Sequence, residues 1–88
     1  MRIDRYLHCI RLAKSRTLAQ ALIDEGHARI DGRRVEKSSE PVTVGSVIAV
    51  PLRGRVRVIR VLALPHRRGP ASEARAAYEE IDEKGTAT

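Results

Sequence analysis

The chain has 88 residues and a formal net charge of +6, from 17 lysines and arginines against 11 aspartates and glutamates. A chain of this length builds one small core and no second domain, which also makes a solvent-shielded catalytic pocket difficult to form. Because its only aromatic residues are two tyrosines, the chain largely lacks the stacking platform that reads unstructured single strands, and its charge favours a polyanion, with solubility alone as the alternative.

The first predicted element is a helix of about three turns that begins at Ile3. Its apolar residues recur at the spacing of one helical face: Ile3, Tyr6, Leu7, Ile10 and Ala13. Arg2 and Arg5 lie at the first turn, where cations oppose the helix dipole. We therefore expect them to have a role other than stabilising the helix. Asp4 is an acid in this basic cluster, and we expect it to orient Arg2, Arg5 or His8 within the protein.

A second helix is predicted from Arg16 to Glu25. Ser15 is a favourable N-cap and Gly26 supplies the stop. Free amides at the helix start, beside the side chains of Lys14 and Arg16, make a ready phosphate site. We expect the two helices to form a hairpin and these residues to lie in the core: Ile3, Leu7, Ile10, Leu18, Leu22, Ile23, Ile30 and Val47.

Strands follow the second helix. Asp31-Gly32 is a strong two-residue turn signal between alternating segments, so residues 28–35 predict a hairpin that carries three arginines. Residues 47–50 and 55–61 predict two further strands. In the second of these the alternation slips between Val58 and Ile59, which predicts a bulge or a change of buried face.

The last part of the chain changes in charge. Residues 1–69 carry a net charge of +9 and residues 70–88 a net charge of −3. Residues 65–69 predict a basic linker, and Pro70 predicts the start of a short helix through Ile81. Residues 82–88 have nothing to bury and are predicted to be disordered. The fold class is therefore α+β: one small domain with an N-terminal helical hairpin packed on a small, mostly antiparallel sheet, followed by a short C-terminal helix.

No motif in the sequence predicts catalysis or metal binding. His8, His27 and His66 are isolated from one another and from Cys9, without a metal-ligand spacing. A glycine-rich nucleotide loop and a nucleophile with its base are also missing. We expect no catalytic residue, no metal and no cofactor. Since no stretch approaches the roughly 20 apolar residues that cross a bilayer, we expect a cytoplasmic protein without a membrane partner.

Many positions in the first fifty residues agree in order and spacing with one known family. They are Arg2-Ile3-Asp4, Leu7, Ser15-Arg16-Thr17, Ala19, Ile23, Gly26, Ile30-Asp31-Gly32, Val35, Lys37-Ser38, Val42, Gly45 and Ile48. This pattern resembles the alpha-L RNA-binding domain named after ribosomal small-subunit protein four, which also occurs in tyrosyl-tRNA synthetases and pseudouridine synthases. Residues 67–74 and 78–80 further resemble the ribosome-associated heat shock proteins of about fifteen kilodaltons, and the acidic C-terminal stretch favours the related short quality-control factors.

The resemblance implies a non-enzymatic RNA-binding factor of the large ribosomal subunit. Its implied partners are large-subunit rRNA, tRNA and the subunit that carries a nascent chain, in rescue or quality control of stalled complexes or in the heat-shock response. We expect an RNA-binding domain over 1–64, a linker and short helix over 65–81, a tail over 82–88, and a monomer. An accessory subunit of an RNA-modifying enzyme and a basic protein-interaction module remain open alternatives.

Nine residues match the family's RNA-binding positions. They are Arg2, Arg5, Lys14, Ser15, Arg16, Thr17, Arg33, Arg34 and Lys37. The mechanism expected from them is electrostatic and geometric. The start of the second helix binds phosphates, the arginines of the first helix extend that patch, and the basic residues of the hairpin bind a neighbouring strand.

Overall fold

The computed structural model describes residues 1–81, so the predicted disorder of residues 82–88 lies outside the described residues. Its elements in chain order are α1 (Ile3–Cys9), α2 (Arg16–Asp24), β1 (Arg29–Ile30), β2 (Arg33–Arg34), β3 (Val47–Leu52), β4 (Arg55–Val61), α3 (Ala71–Ala76) and β5 (Tyr78–Ile81). The predicted α+β class, with an N-terminal helical hairpin and an antiparallel sheet, is confirmed. No helix among the described residues has the length and apolar character to span a membrane.

The five strands form one antiparallel sheet in the order β2-β1-β3-β4-β5. Asp31 and Gly32 connect β1 to β2 with φ angles of 51° and 86°, the geometry of a two-residue type I′ turn that Asp-Gly favours. The Oδ1 atom of Asp31 also accepts a hydrogen bond from the backbone N–H of Val47 at 2.9 Å. The predicted hairpin is confirmed, and its turn residue fastens it to β3.

One cluster of buried side chains joins the helices to the sheet. Ile3, Leu7 and Ile10 are at most 1% exposed and lie with Ile23 and the apolar residues of β3 and β4. Tyr6 is fully buried, and its hydroxyl donates to the carbonyl oxygen of Ala77 at 2.9 Å. Burial, with a smaller contribution from Tyr78, raises the pKa of this hydroxyl far above its ordinary value.

The core placement of Leu18 is wrong. Its side chain is 50% exposed, whereas Ala19 and Ile23 are buried. Helix α2 therefore contacts the core through a narrow i, i+4 stripe, and Leu18 lies beside that stripe, toward solvent. The core placement of Leu22 and Val47 is also wrong, because both are only half-buried and neither belongs to the core cluster or packs against it.

Helix α1 is shorter than the sequence pattern predicts. It ends at Cys9, and Arg11 has a φ of 64°, a left-handed conformation that does not continue a helix. The amides of Leu12 and Ala13 both bond back to the carbonyl oxygen of Leu7 at 3.1 Å. The apolar residues after Cys9 therefore stay near the core although the helix has ended.

The predicted C-terminal helix through Ile81 is wrong in its second half. Helix α3 ends at Ala76, and Tyr78–Ile81 is strand β5, paired with β4. An edge strand with unpaired backbone groups is a ready template for another strand, and this long-range pairing overrides the local helix preference. Arg60 Nη1 and Glu79 Oε1, 2.5 Å apart, form a cross-strand ion pair at this edge.

Strand β4 has no bulge. Its pairs with β3 run without interruption from Val47↔Arg60 to Leu52↔Arg55. Because side chains alternate along a regular strand, Arg55 and Arg57 share the side of the buried Ile59, and Arg60 points to the opposite side. The slip in the sequence pattern arises because Val56 and Val58 lie on the opposite face from Ile59. Val56 is 63% exposed there, whereas Ile59 and Val61 are fully buried.

Candidate nucleic-acid interface

A buried carboxylate organises the starts of both N-terminal helices. The side chain of Asp4 is fully buried and accepts two bonds from Arg2, from Nε to Oδ1 at 2.9 Å and from Nη2 to Oδ2 at 3.0 Å. Gln20 Nε2 donates to Oδ2 at 3.0 Å, and Arg16 Nη2 lies 3.5 Å from the same oxygen. The backbone N–H of Arg5 completes the set at 2.7 Å from Oδ1. We call Asp4, Arg2, Arg16 and Gln20 the Asp4 cluster.

The charge on Asp4 is stabilised by these donors. Burial alone would raise the pKa of this carboxyl, but the bonds from Gln20, from Arg2 and from the backbone of Arg5 outweigh it, so the pKa lies below its ordinary value of 3.8. Asp4 is therefore ionised at neutral pH. The expectation that Asp4 orients Arg2 is confirmed, while its contacts with Arg16 and Gln20 were not predicted from the sequence.

Helix α2 begins as the sequence predicts. The hydroxyl oxygen of Ser15 accepts a hydrogen bond from the backbone N–H of Leu18 at 3.1 Å, which confirms the N-cap. Lys14, Arg16 and Thr17 are exposed around this end, and the first turn of α2 contains no acidic residue. First-turn amides lack partners within the helix and carry a partial positive charge. This end of α2 therefore suits an anion.

The basic linker lies against α1. Arg5 Nη2 donates to the carbonyl oxygen of His66 at 2.6 Å, and Arg68 Nε donates to the carbonyl oxygen of His8 at 3.2 Å. Arg68 was not among the predicted site residues. The run of basic residues in the linker was a signal of its charge, but nothing in the sequence showed where the linker would dock.

The pKa of His8 responds to arginines of both the linker and the start of α2. Partial burial lowers the pKa of its imidazole below the ordinary 6.5, and the positive charges of Arg68 and Arg16 lower it further. The structure thus adds Arg68 to the positive surface that includes Arg16, whereas His8, with its lowered pKa, is uncharged at neutral pH.

We expect the free energy of unfolding to decrease as the pH falls through about 6.5. His8 takes up its proton at a lower pH in the folded protein than in the unfolded chain, so the unfolded state binds more protons in this window. His8→Gln should flatten the decrease. Urea unfolding of both proteins at about pH 7.5 and 5.5 measures it, and an equal decrease in both would contradict the role of His8. The carboxyls of Asp4 and Glu40, whose pKa values are also lowered, act at still lower pH.

The hairpin residues separate into two places. Arg33 Nη1 lies 2.6 Å from Oε1 of Glu40, whose own carbonyl oxygen accepts the backbone N–H of Ile3 at 2.8 Å. This links Arg33 to the start of α1. The guanidinium of Arg34 instead lies against Gly26, just beyond the C-terminal end of α2. Lys37 is exposed in the following loop.

Comparison with known proteins identifies the domain. The family described as S4 domain matches residues 1–48, more than half of the chain and all of the helical hairpin, β1 and β2. The chain belongs to the S4 domain family. The S4 domain therefore contains all nine candidate residues, and the resemblance read from the sequence is confirmed. Whether those nine residues contact RNA stays a prediction.

Relatives extend the similarity beyond the S4 domain. The chain is 34% identical over 83 residues to heat shock protein 15 of Escherichia coli K12, over 94% of this chain and 62% of that protein. It is 41% identical over 49 residues to small ribosomal subunit protein uS4 of Listeria welshimeri, over 56% of this chain and 24% of that protein. The chain therefore spans less than two thirds of the length of either relative.

A solved structure shows the same arrangement. The trimeric structure of heat shock protein 15 from Vibrio cholerae superposes on this chain with a TM-score of 0.88 and 28% sequence identity, and covers 97% of this chain and 84% of its own. The similarity therefore includes α3 and β5 as well as the S4 domain.

Proposed function

We propose that this chain is a non-enzymatic, cytoplasmic RNA-binding factor that associates with the large ribosomal subunit through rRNA and tRNA. The observation that carries the proposal is the Asp4 cluster, in which one buried carboxylate orients arginines from two elements beside the start of α2. Such an arrangement presents fixed guanidinium groups to an anion. It does not by itself supply a nucleophile or a general base.

The exposure of the arginines in the Asp4 cluster fits this role. The side chains of Arg2 and Arg16 are 44% and 46% exposed while Asp4 is completely buried. A guanidinium has five N–H donors, and Arg2 uses only two of them on Asp4. The remaining donors are available to phosphate oxygens, for which the planar fork of arginine is well suited. The carboxylate therefore fixes the orientation of a group that still has donors for RNA.

The ribosomal part of the proposal comes from the relatives. One is itself a protein of the small ribosomal subunit, which supports a ribosomal role but not the choice of subunit, and heat shock protein 15 matches nearly the whole of this chain. The resemblance seen in the sequence implies binding to large subunits that carry tRNA and an unfinished chain. We therefore place this chain in the rescue or quality control of stalled nascent-chain complexes, or in the heat-shock response.

The test is sedimentation of cell lysate in a sucrose gradient, followed by detection of the protein across the fractions. We expect it to peak with free large subunits that carry tRNA. We also expect its affinity for purified large subunits to fall with salt, with a log-log slope of about −0.7 to −0.9 per phosphate contact.

Two results would contradict the proposal. Migration with an RNA-modifying enzyme, away from ribosomal particles, would favour an accessory subunit. A flat salt response would favour a protein-interaction module, because release of counterions from RNA necessarily depends on salt.

A further inference from the structure

A second basic surface lies on a different part of the fold. An open groove of about 810 Å³ runs between the end of α1, the β3–β4 hairpin and α3. Among the described residues that line it, five are arginines and one is an acid: Arg11, Arg53, Arg55, Arg57, Arg75 and Glu80. None of the nine candidate RNA-binding residues lines this groove. We call it the hairpin groove.

Two of its arginines have a backbone conformation that arginine rarely adopts. Arg11 has a φ of 64° and Arg53 a φ of 52°, in the left-handed region where few residues other than glycine, asparagine and aspartate are found. Arg53 and Gly54 form the two-residue connection between β3 and β4. Asparagine or aspartate would suit the first position of such a turn better. Unfavourable backbone conformations cluster at ligand-binding sites, and here two of them place guanidinium groups on one groove.

The arginines differ in how firmly they are held. Arg57 forms an ion pair with Glu80, and Arg11 Nε donates to the carbonyl oxygen of Gly69 at 2.8 Å. Arg53 and Arg55 are exposed at the tip of the β3–β4 hairpin and make no ion pair with any described residue. The groove thus combines two guanidinium groups that are held by bonds within the protein, those of Arg11 and Arg57, with two exposed ones, those of Arg53 and Arg55.

The lining of the hairpin groove indicates the kind of partner. Small-molecule pockets are mostly apolar with a few precisely placed polar groups, whereas this groove is open and holds five arginines against one acid beside its apolar lining residues. Guanidinium groups pair well with phosphate oxygens. We propose that the hairpin groove binds the sugar-phosphate backbone of a second RNA segment, so that the protein bridges two segments, one at the Asp4 cluster and one at this groove. The inference rests on the proposed function.

The test uses the double variant Arg53→Asn/Arg55→Gln, which should fold because asparagine suits the turn. Affinity for purified large ribosomal subunits, and for deproteinised large-subunit rRNA, is measured from about 50 to 200 mM salt. Loss of two phosphate contacts should make the log-log salt slope shallower by about 1.4 to 1.8. Arg53→Lys/Arg55→Lys, which keeps both charges, should retain most of the wild-type slope.

Arg16→Gln distinguishes the two surfaces. If it makes the slope shallower while Arg53→Asn/Arg55→Gln leaves the slope at the wild-type value, the inference is wrong and the proposed function stands. A double variant that weakens binding to intact subunits but not to deproteinised rRNA would indicate a ribosomal protein as the partner and would also overturn the inference. If the wild-type protein binds neither probe, the proposed function fails and the groove has no RNA to bind.

Discussion

Replacing Asp4 by asparagine is expected to lower the free energy of unfolding by about 2–4 kcal/mol and to weaken RNA binding at the same time. Asparagine keeps one acceptor oxygen, but its NH₂ group then faces the donors of Arg2 or Gln20, which bond to Oδ2 in the wild type. Breaking a buried ion pair costs about 3–5 kcal/mol. We place the expected loss lower because both arginines are nearly half exposed and water can solvate their freed charges.

Urea unfolding near neutral pH measures the stability loss, and titration of large ribosomal subunits measures the binding loss. Glu40→Gln is the matched control, since this acid also pairs with an arginine, Arg33, but at the surface, where such pairs contribute little. We expect it to unfold almost as the wild type does. An Asp4→Asn protein with wild-type stability would show that the carboxylate is not what orders the cluster.

Acid unfolding is a second test of how Asp4 contributes to stability. The pKa of Asp4 is lowered in the folded protein, so the stability from its ionised form is present above the ordinary pKa of 3.8 and is lost as the pH falls through the folded value. Asp4→Asn should remove that component, leaving a shallower loss of stability at low pH. The effect of His8 lies nearer pH 6.5 and is separable from it.

The predictions that agree best with the structure are those that rest on local sequence patterns. The cap at Ser15 and the Asp31-Gly32 turn depend on residues within a few positions of one another, and both form as predicted. Residues of β5 carried an equally plausible local pattern for a helix, but their conformation is decided by pairing with β4, which is distant in the chain. Local periodicity does not contain that information.

The candidate site shows the same division. Arg2 and Asp4 are two positions apart, and their contact could be anticipated from charge alone. Gln20 reaches Asp4 across 16 positions, so it could be found only once the helices were packed. The docking of the linker depends on backbone carbonyl groups, such as that of His66, which every residue carries and which leave no signature in a sequence.

Arg16→Gln is expected to weaken RNA binding by about 1–3 kcal/mol, or roughly 5- to 150-fold. Glutamine is a good helix former, and the contact of Arg16 with Asp4 is long at 3.5 Å, so we expect little change in stability. A cation at a helix start is also locally unfavourable. Titration of purified large subunits measures the affinity, and thermal unfolding checks the fold.

The matched control for Arg16→Gln is Arg29→Gln. Arg29 is exposed on β1, away from the Asp4 cluster, and bonds to the carbonyl oxygen of Gly32 in its own hairpin. Both variants remove one positive charge, so equal weakening of binding would show that net charge alone attracts the RNA. A larger effect of Arg16→Gln would show that orientation matters. Combining it with Asp4→Asn should then be less than additive for binding, because Asp4 reaches the RNA only through the arginines that it orients.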